Sequence, residues 1–302
     1  MANAKDIHRR IRAVDNTRQI TRAMELVART KLRRAQEQAV ATRAYAEALV
    51  QLLRRVAGRG GDPDMSPFFE IRPVTNRLVI AITADRGLCG SYNSNVLRVA
   101  RNEIAGDDPA HLELIPVGRK GRDHFRNRGY EIYEEFVNIG EEADLGLART
   151  LARVAGYEFT SGRVDEVVLV FTEFQSVFRQ RVRSLTLLPI DPEAEVDEGE
   201  REWSEGARRR EGLYLYEPNP EVIFEELLPR FVTNSIFRAL AESKASEQAS
   251  RVTAMNNATE NAGELIEELT REYNRVRQAQ ITREITEIAG GAEALAAARG
   301  ER

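Results

Sequence analysis

The sequence predicts an α/β fold in which a long antiparallel coiled coil, formed by the N- and C-terminal helices, carries an inserted Rossmann-like α/β domain. Three observations support this prediction. Residues 3–56 contain no glycine or proline, and residues 230–289 contain no proline and a single glycine, Gly263. Between these ends, short apolar runs alternate with segments of helical spacing, which is the pattern of a mostly parallel sheet with helices on its faces.

The C-terminal segment, residues 220–289, is rich in helix-forming residues and predicts one helix about 100 Å long. Its apolar positions alternate at spacings of three and four, as in the seam of a two-stranded left-handed coiled coil. These positions are Val252, Met255, Thr259, Ala262, Ile266, Leu269, Tyr273 and Val276. The register breaks at Gln280, and apolar residues resume at Ile281, Ile285 and Ile288. We therefore expect the end of this helix to face something other than the first helix.

The N-terminal segment predicts the second long helix, about 80 Å in length. Its apolar positions also recur at spacings of three and four, in blocks that are separated by phase slips. They are Ile7, Ile11, Val14, Ile20, Met24, Val27, Leu32, Ala35 and Ala39. Lysine and arginine outnumber acidic residues along this helix, which suits an acidic partner surface or a polyanion. Arg43 and Arg54, on its lower part, are expected to matter little to function.

The residues between the long helices predict alternating strands and helices. The predicted strands are residues 77–85, 111–118, 130–136 and 164–174, with an edge strand at 181–190 that is hairpinned to the last of these. The predicted helices are residues 91–104, 119–127 and 141–160. The predicted domains are a first helix (1–57), a connection (58–75), the α/β domain (76–217) with an acidic flexible loop (191–212), and a second helix (218–302).

Composition limits the classes of function. The chain has 302 residues and a net charge of -4, which gives no overall attraction to nucleic acid or to membranes. One cysteine, Cys89, excludes a disulfide framework, and the three histidines show no metal-ligand spacing. We expect no catalytic, cofactor-binding or metal-binding residues. No run of 18 apolar residues occurs, so membrane association is expected only through partners.

The turn within residues 83–95, TADRGLCGSYNSN, joins a predicted strand to a predicted helix, where phosphate-binding loops lie in other proteins. It contains neither G-x-G-x-x-G nor G-x-x-x-x-G-K-[ST], so a structural role is favoured. We expect Gly87 and Gly90 to allow a tight turn. Ser91 or Asn93 is expected to cap the following helix.

With both helices and this turn in view, the chain resembles the gamma subunit of the F-type ATP synthase over essentially its whole length. Residues 14–28, VDNTRQITRAMELVA, are similar to that family's first-helix motif. Residues 85–93, DRGLCGSYN, are similar to the first turn of its insert. Residues 245–292 are similar to its C-terminal helix at nearly every position.

The resemblance implies a non-catalytic rotor shaft without cofactors. In that family the coiled coil stands inside a hexamer of three alpha and three beta subunits, while the insert and lower coiled coil contact the epsilon subunit and the c-ring. Rotation couples ATP synthesis or hydrolysis to proton or sodium flow. The implied location is the bacterial cell membrane, peripheral and on its cytoplasmic side.

The resemblance also assigns contact residues. Arg277, Gln278 and Thr282 match the family's polar catch against the beta subunit. Further candidate contacts with the hexamer are Met24, Arg9, Arg10 and Arg251. For Met24 a position in the seam is an equal alternative, and for the two N-terminal arginines the alternative is solvation.

Two other functions remain open from the residues alone. A basic antiparallel arm could grip RNA, but the second helix is rich in glutamate and lacks interleaved aromatic residues, so no nucleic-acid partner is expected. A nucleotide-dependent α/β enzyme would need the phosphate-binding motif that the turn at residues 83–95 lacks.

Overall fold

The computed structural model describes residues 4–57, 66–104, 112–190 and 220–300. Its helices are α1 (Ala4–Ala57), α2 (Tyr92–Glu103), α3 (Arg119–Arg126), α4 (Leu145–Thr160) and α5 (Pro220–Gly300), and a short 3-10 helix spans Pro67–Phe69. Its strands are β1 (Arg77–Ile82), β2 (Leu112–Val117), β3 (Glu166–Phe174) and β4 (Gln180–Leu188). The two long helices and the α/β insert are thus confirmed. The predicted loop at 191–212 lies outside the described residues, and the predicted domain limits stay a prediction.

The four strands form one mixed sheet in the order β2-β1-β3-β4. Strand β1 pairs in parallel with both β2 and β3, and β4 returns antiparallel to β3 as the predicted edge hairpin. All residues of β1 after Arg77 are buried. Burial on both faces explains why this strand reads as a continuous apolar run and not as an alternating one.

The predicted strand at residues 130–136 is wrong. This segment runs beside β2 and makes one isolated parallel bridge, between Val117 and Phe136. The Phe136 N–H donates to the carbonyl of Pro116 at 3.1 Å. Because Pro116 has no N–H of its own, β2 cannot donate a ladder bond at that residue, and a regular fifth strand does not form.

The chain divides into two compact units, of which the larger comprises residues 28–253. Within this unit, one apolar cluster joins the sheet to Leu53 of α1, Leu151 of α4 and Phe231 of α5. A second cluster covers strand residues with Val96 of α2 and Phe125 of α3. The sheet is therefore packed between the α2–α3 layer and a layer that includes both long helices.

The other unit comprises residues 1–27 and 254–302 and is an antiparallel helix pair. The rings of His8 and Tyr273 lie 5.8 Å apart, and the hydroxyls of Thr21 and Thr259 lie 2.8 Å apart. Residue numbers thus rise along α1 as they fall along α5. The buried seam residues of α5 here are Met255, Ala262 and Leu269. They agree with the predicted seam.

The predicted phase slips in α1 are wrong. Ile20 and Val27, which were assigned to the seam, are 60% and 53% exposed. The buried positions instead alternate by four and three without a break. They are Thr21, Glu25, Ala28, Leu32, Ala35 and Ala39. Two of these residues, Thr21 and Glu25, are polar. A seam that was assigned from apolar residues alone therefore shifted to neighbouring positions, and this shift was interpreted as a phase slip.

Helix α5 is longer than predicted, since it continues through Gly290 and Gly291 to Gly300. A glycine disfavours helix by about 1 kcal/mol relative to alanine. The sequence that follows, AEALAAAR, is rich in the strongest helix former. The favourable residues on both sides therefore outweigh the glycine pair, which had been taken as the end of the helix.

The junction of β2 and α3 provides a test of how closely Gly118 packs against Thr83. Gly118 has φ +96°, and a Cβ atom there would lie 2.3 Å from the carbonyl oxygen of Thr83. We expect Gly118→Ala to lower the free energy of unfolding by roughly 3 kcal/mol or more, because backbone strain and a steric clash add. The measurement is the urea midpoint of the full chain, followed by circular dichroism. The control is Gly129→Ala, with φ +77° and open space around it, which should lose only about 1 kcal/mol; equal losses would contradict the clash.

Candidate functional site

Residues 277–291 of α5 are exposed around the whole circumference of the helix. Arg277 and Gln278 lie here, and neither side chain bonds to any other residue that the structure describes. Thr282 lies one turn further on and is also exposed. The three residues assigned to a partner contact are thus available to a partner.

An apolar stripe accompanies these polar residues. Ile281, Ile285 and Ile288 follow one another at spacings of four and three and are 42%, 61% and 73% exposed. At about 100° per residue, Ile281 lies between Arg277 on one side and Gln278 on the other. This end of α5 therefore presents isoleucines flanked by polar groups, and the polar residues and the stripe share one surface.

The candidates at the start of α1 differ in exposure. Arg9 is exposed and pairs with Asp6 in the same helix at 3.1 Å. Arg10 is exposed, whereas Met24 is half-buried. Met24 lies next to the buried seam residue Glu25, so it borders the seam and keeps part of its side chain on the surface.

Arg251 is engaged inside the larger unit. Its guanidinium pairs with Glu247 at 2.8 Å and donates to the carbonyl of Gly87 at 3.3 Å. The side chain is 11% exposed. Arg251 thus fastens the turn after β1 to α5, a role that sequence reasoning missed because the two segments are far apart in the chain.

Asp85 organises the loops at the carboxyl end of the sheet. Its carboxylate accepts the backbone N–H groups of Arg119, Asn138 and Ile139 at 2.8 to 3.0 Å. Burial alone would raise the pKa of Asp85, but these three donors outweigh it, and the pKa lies below its ordinary value. Asp85 therefore acts as a structural anion that holds two loops beside its own turn.

The turn itself differs in detail from prediction. The left-handed conformations belong to Leu88 (φ 60°) and Gly90 (φ 55°), and Gly87 does not adopt one. Ser91 occupies the N-cap position of α2 but makes no capping bond. The Asn93 side chain instead accepts the Ala84 N–H at 2.9 Å. The expected capping role of Ser91 or Asn93 is therefore wrong, because Asn93 reaches back to the end of the first strand.

Cys89 is buried within this turn. Burial raises the pKa of its thiol. The Asn93 amide lies 3.2 Å from the sulfur. A buried thiol with a raised pKa is mostly protonated at neutral pH and is a weak nucleophile, so packing is the function that this geometry supports.

Helix α5 occupies the carboxyl edge of the sheet, which is where open α/β sheets bind ligands. The Thr172 N–H donates to the Ser243 hydroxyl at 3.3 Å, and the Ser246 hydroxyl donates to the Thr172 carbonyl at 3.2 Å. Lys244 donates to the carbonyl of Gly140 at 2.8 Å. Side chains of α5 therefore bond to the end of β3 and to the loop at Gly140 along this edge.

Arg43, which was expected to matter little to function, makes two contacts inside the larger unit. Its guanidinium pairs with the fully buried carboxylate of Glu242 at 3.1 Å. It also donates to the carbonyl of Phe174 at 2.8 Å. The Arg54 side chain lies outside the described residues. Sequence reasoning missed the role of Arg43 because its partners are far away along the chain.

Two further features concern the part of the chain that the structure describes. No helix there is both long and apolar enough to cross a membrane. No group of three or more His, Cys, Asp or Glu side chains is arranged there to hold a metal ion.

Comparisons with known proteins extend over nearly the whole chain. The family model described as "ATP synthase" matches residues 3–295. The ATP synthase gamma chain of Heliobacterium modesticaldum is 45% identical over 295 residues, which cover 98% of this chain and 100% of that one. The sodium ion specific ATP synthase gamma chain of Acetobacterium woodii is 40% identical over 301 residues, covering 97% and 99%. Among solved structures, a chain of the central stalk and c-ring of Tetrahymena thermophila mitochondrial ATP synthase is 26% identical, with a TM-score of 0.60, covering 79% of this chain and 99% of that one.

Asp85 supplies a test of the loop anchoring. Asparagine keeps one acceptor oxygen but loses the charge and the second oxygen, so we expect Asp85→Asn to lower the free energy of unfolding by about 2 kcal/mol at pH 7. Because the pKa of Asp85 is lowered in the folded state, its charge stabilises the fold above the unfolded pKa of about 3.9. This contribution is lost as the pH falls through the folded pKa. The difference between variant and parent, from urea unfolding at pH 7 and below, should therefore shrink with acid. A constant difference across that range would contradict the role of the charge.

Proposed function

This chain belongs to the family of ATP synthase gamma chains, and we propose that it is the central rotor shaft of a bacterial F-type ATP synthase. As a subunit of that complex, it transmits rotation between the c-ring and a hexamer of three alpha and three beta subunits. Rotation of an asymmetric shaft brings the catalytic sites through different conformations in turn. The similarity to these relatives does not identify the coupling ion of this complex, because one relative of similar identity is named sodium ion specific.

One observation carries this proposal: a single continuous helix is buried on every side in one stretch and exposed on every side in another. Residues 239–249 of α5 are buried without exception, and residues 277–291 are all exposed. The helix is continuous over 81 residues. A shaft needs a part that is gripped and a part that can face several partners in turn, and α5 has both.

We propose that the chain is not itself catalytic and binds no cofactor. At the carboxyl edge of the sheet, three residues of α5, Ser243, Lys244 and Ser246, bond to Thr172 and Gly140. The one acidic group of the glycine-containing turn, Asp85, accepts three backbone N–H groups. These residues serve the packing of the insert and leave the chemistry to partner subunits.

We propose that the exposed end of α5 contacts a beta subunit through Arg277, Gln278 and Thr282. Ile281 lies among them, so the contact combines hydrogen bonds with apolar surface. Further proposed hexamer contacts are Arg9, Arg10 and Met24. Arg251 is withdrawn as a direct contact, because its guanidinium bonds to Glu247 and Gly87 within this chain.

The α/β insert and the lower parts of the long helices are proposed to contact the epsilon subunit and the c-ring. The chain would then be peripheral to the bacterial cell membrane, on its cytoplasmic side, and would reach the membrane only through partners. The division into residues 1–57, 58–75, 76–217 and 218–302 is part of this proposal. No nucleic-acid partner is proposed.

The isolated chain provides the first test. We expect no ATP hydrolysis by the purified full chain, because the turn at residues 83–95 lacks a phosphate-binding motif and the residues that the structure describes contain no metal-binding set for phosphoryl transfer. The measurement is phosphate release, in a preparation shown by mass spectrometry to be free of beta subunit. Turnover that persists in such a preparation would overturn the assignment of a non-catalytic shaft.

The exposed end of α5 provides the second test. We expect replacement of Arg277, Gln278 and Thr282 together by alanine to change the ATPase rate of the assembled complex by roughly tenfold, because charge-assisted and neutral hydrogen bonds formed at one rotational angle are lost. The exposed alanines should leave the helix intact. Helix content and subunit stoichiometry are therefore measured beside the rate and should not change.

The matched control for this triple variant uses charges on the same helix. Arg271 and Arg275 are exposed, and neither makes an ion pair with any residue that the structure describes. The variant with both replaced by alanine removes more positive charge than the triple variant does. An equal effect from the control would mean that bulk basic charge matters, and the assignment of the three residues would be withdrawn.

A further inference from the structure

The two long helices and the sheet meet at a buried carboxylate in the larger unit. Glu242 of α5 is fully buried. Its Oε1 atom accepts from Nε of Arg43 on α1 and from Nε of Arg238 on α5, each at 3.1 Å. Its Oε2 atom is buried and has no hydrogen-bond partner among the described residues. Two guanidiniums therefore converge on one oxygen of this carboxylate.

Arg43 extends this ion pair to the sheet. Its Nη2 atom donates to the carbonyl of Phe174, the last residue of β3, at 2.8 Å. The planar guanidinium holds Nε and Nη2 in a fixed relation, so the directions toward Glu242 and Phe174 are set together. One side chain of α1 is thus bonded both to the other long helix and to the insert.

The apolar contacts in this region resist rotation less specifically than these bonds of Arg43 do. The apolar cluster that includes Leu53, Leu151 and Phe231 excludes water, but apolar contact is non-directional and resists sliding mainly through shape. A charge-assisted hydrogen bond prefers one distance and one angle, so it opposes displacement of the helices along or around their axes.

Buried ion pairs of this kind are poor stabilisers. Removing the Glu242 carboxylate from water carries a desolvation penalty that attraction to two partly exposed guanidiniums only partly repays, and apolar replacements are often as stable. The Oε2 atom of Glu242, which has no hydrogen-bond partner in the described parts of the chain, adds to that penalty. The arrangement therefore points to a role other than stability. A directional ion pair fixes the relative positions of the elements that it joins.

We propose that Arg43 is a torque joint between the α/β insert and the pair of long helices, with Glu242 as the positioning residue that holds its guanidinium. This inference rests on the proposed function as a rotor shaft. Under load, the insert and the helices experience opposed forces, and the bond from Arg43 to Phe174 keeps the sheet from slipping against the helices. Without this bond, part of the rotation is not transmitted between the insert and the long helices.

The test uses Arg43→Lys in the assembled complex, in sealed vesicles. Lysine keeps the positive charge beside Glu242 but has one nitrogen, which cannot take both positions of the guanidinium. The readout is the membrane potential built up by ATP hydrolysis, followed with a potential-sensitive dye at matched ATPase rates, so that the nature of the coupling ion is irrelevant. We expect the potential per ATP hydrolysed under load to fall by up to roughly tenfold, the factor that one charge-assisted hydrogen bond contributes to an equilibrium.

Arg238→Lys is the matched control. Arg238 makes the same contact to Glu242 at the same distance, but it lies on α5 and its bond to Glu242 stays within that helix. This variant perturbs the buried ion pair without touching the bond to Phe174, and it should couple like the parent. The thermal unfolding midpoints of both complexes are compared, to separate lost coupling from lost stability.

The outcomes separate the joint from the shaft. Loss of coupling in Arg43→Lys with normal coupling in Arg238→Lys supports the joint. Normal coupling in Arg43→Lys, or equal losses in both variants, overturns it while leaving the shaft in place. If the Arg43→Lys complex fails to assemble, Arg43→Gln is measured in the same way, because its uncharged amide also cannot hold both positions. A complex that lacks this chain and still builds the same membrane potential per ATP hydrolysed would instead overturn the proposed function itself.

Discussion

The larger unit depends on the complete burial of one stretch of helix. Residues 239–249 of α5 are buried on every side even though several of them are charged. A buried charge must be paired, because its desolvation is otherwise uncompensated. Arg43 pairs with Glu242, and Arg251 pairs with Glu247. The elements around α5 are therefore positioned by polar partners as well as by apolar packing.

This requirement explains the chemistry of the turn after β1. Asp85 holds neighbouring loops by their backbone N–H groups. Cys89 and Tyr92 form a small buried cluster with Ala84. The carbonyl of Gly87 accepts from Arg251 of α5. A segment that resembles a phosphate-binding loop in its position thus serves to attach the sheet to the helix that lies at its carboxyl edge.

The smaller unit meets a different constraint, which is the choice of one register between two helices. Each of the hydroxyls of Thr21 and Thr259 lies within 3.0 Å of a carbonyl of its own helix, and the two lie 2.8 Å from each other. Each hydroxyl has a single proton, so one donates along its helix and the other donates across the seam. A polar layer of this kind stabilises less than an apolar one but favours a single register, which suits a shaft.

The sequence by itself determined the two long helices, their antiparallel pairing and most strands of the insert, because helix propensity and apolar periodicity act over neighbouring residues. Only the tertiary structure decided the seam position at Thr21, the absence of a strand beside Pro116, and the role of Arg43. Each of these depends on how two separate segments of the chain meet: the hydroxyl of Thr21 meets that of Thr259, the segment at residues 130–136 meets a proline without an N–H, and Arg43 meets a buried carboxylate. Periodicity reports which face of an element is apolar, and it carries no information about which polar group will meet another across that face.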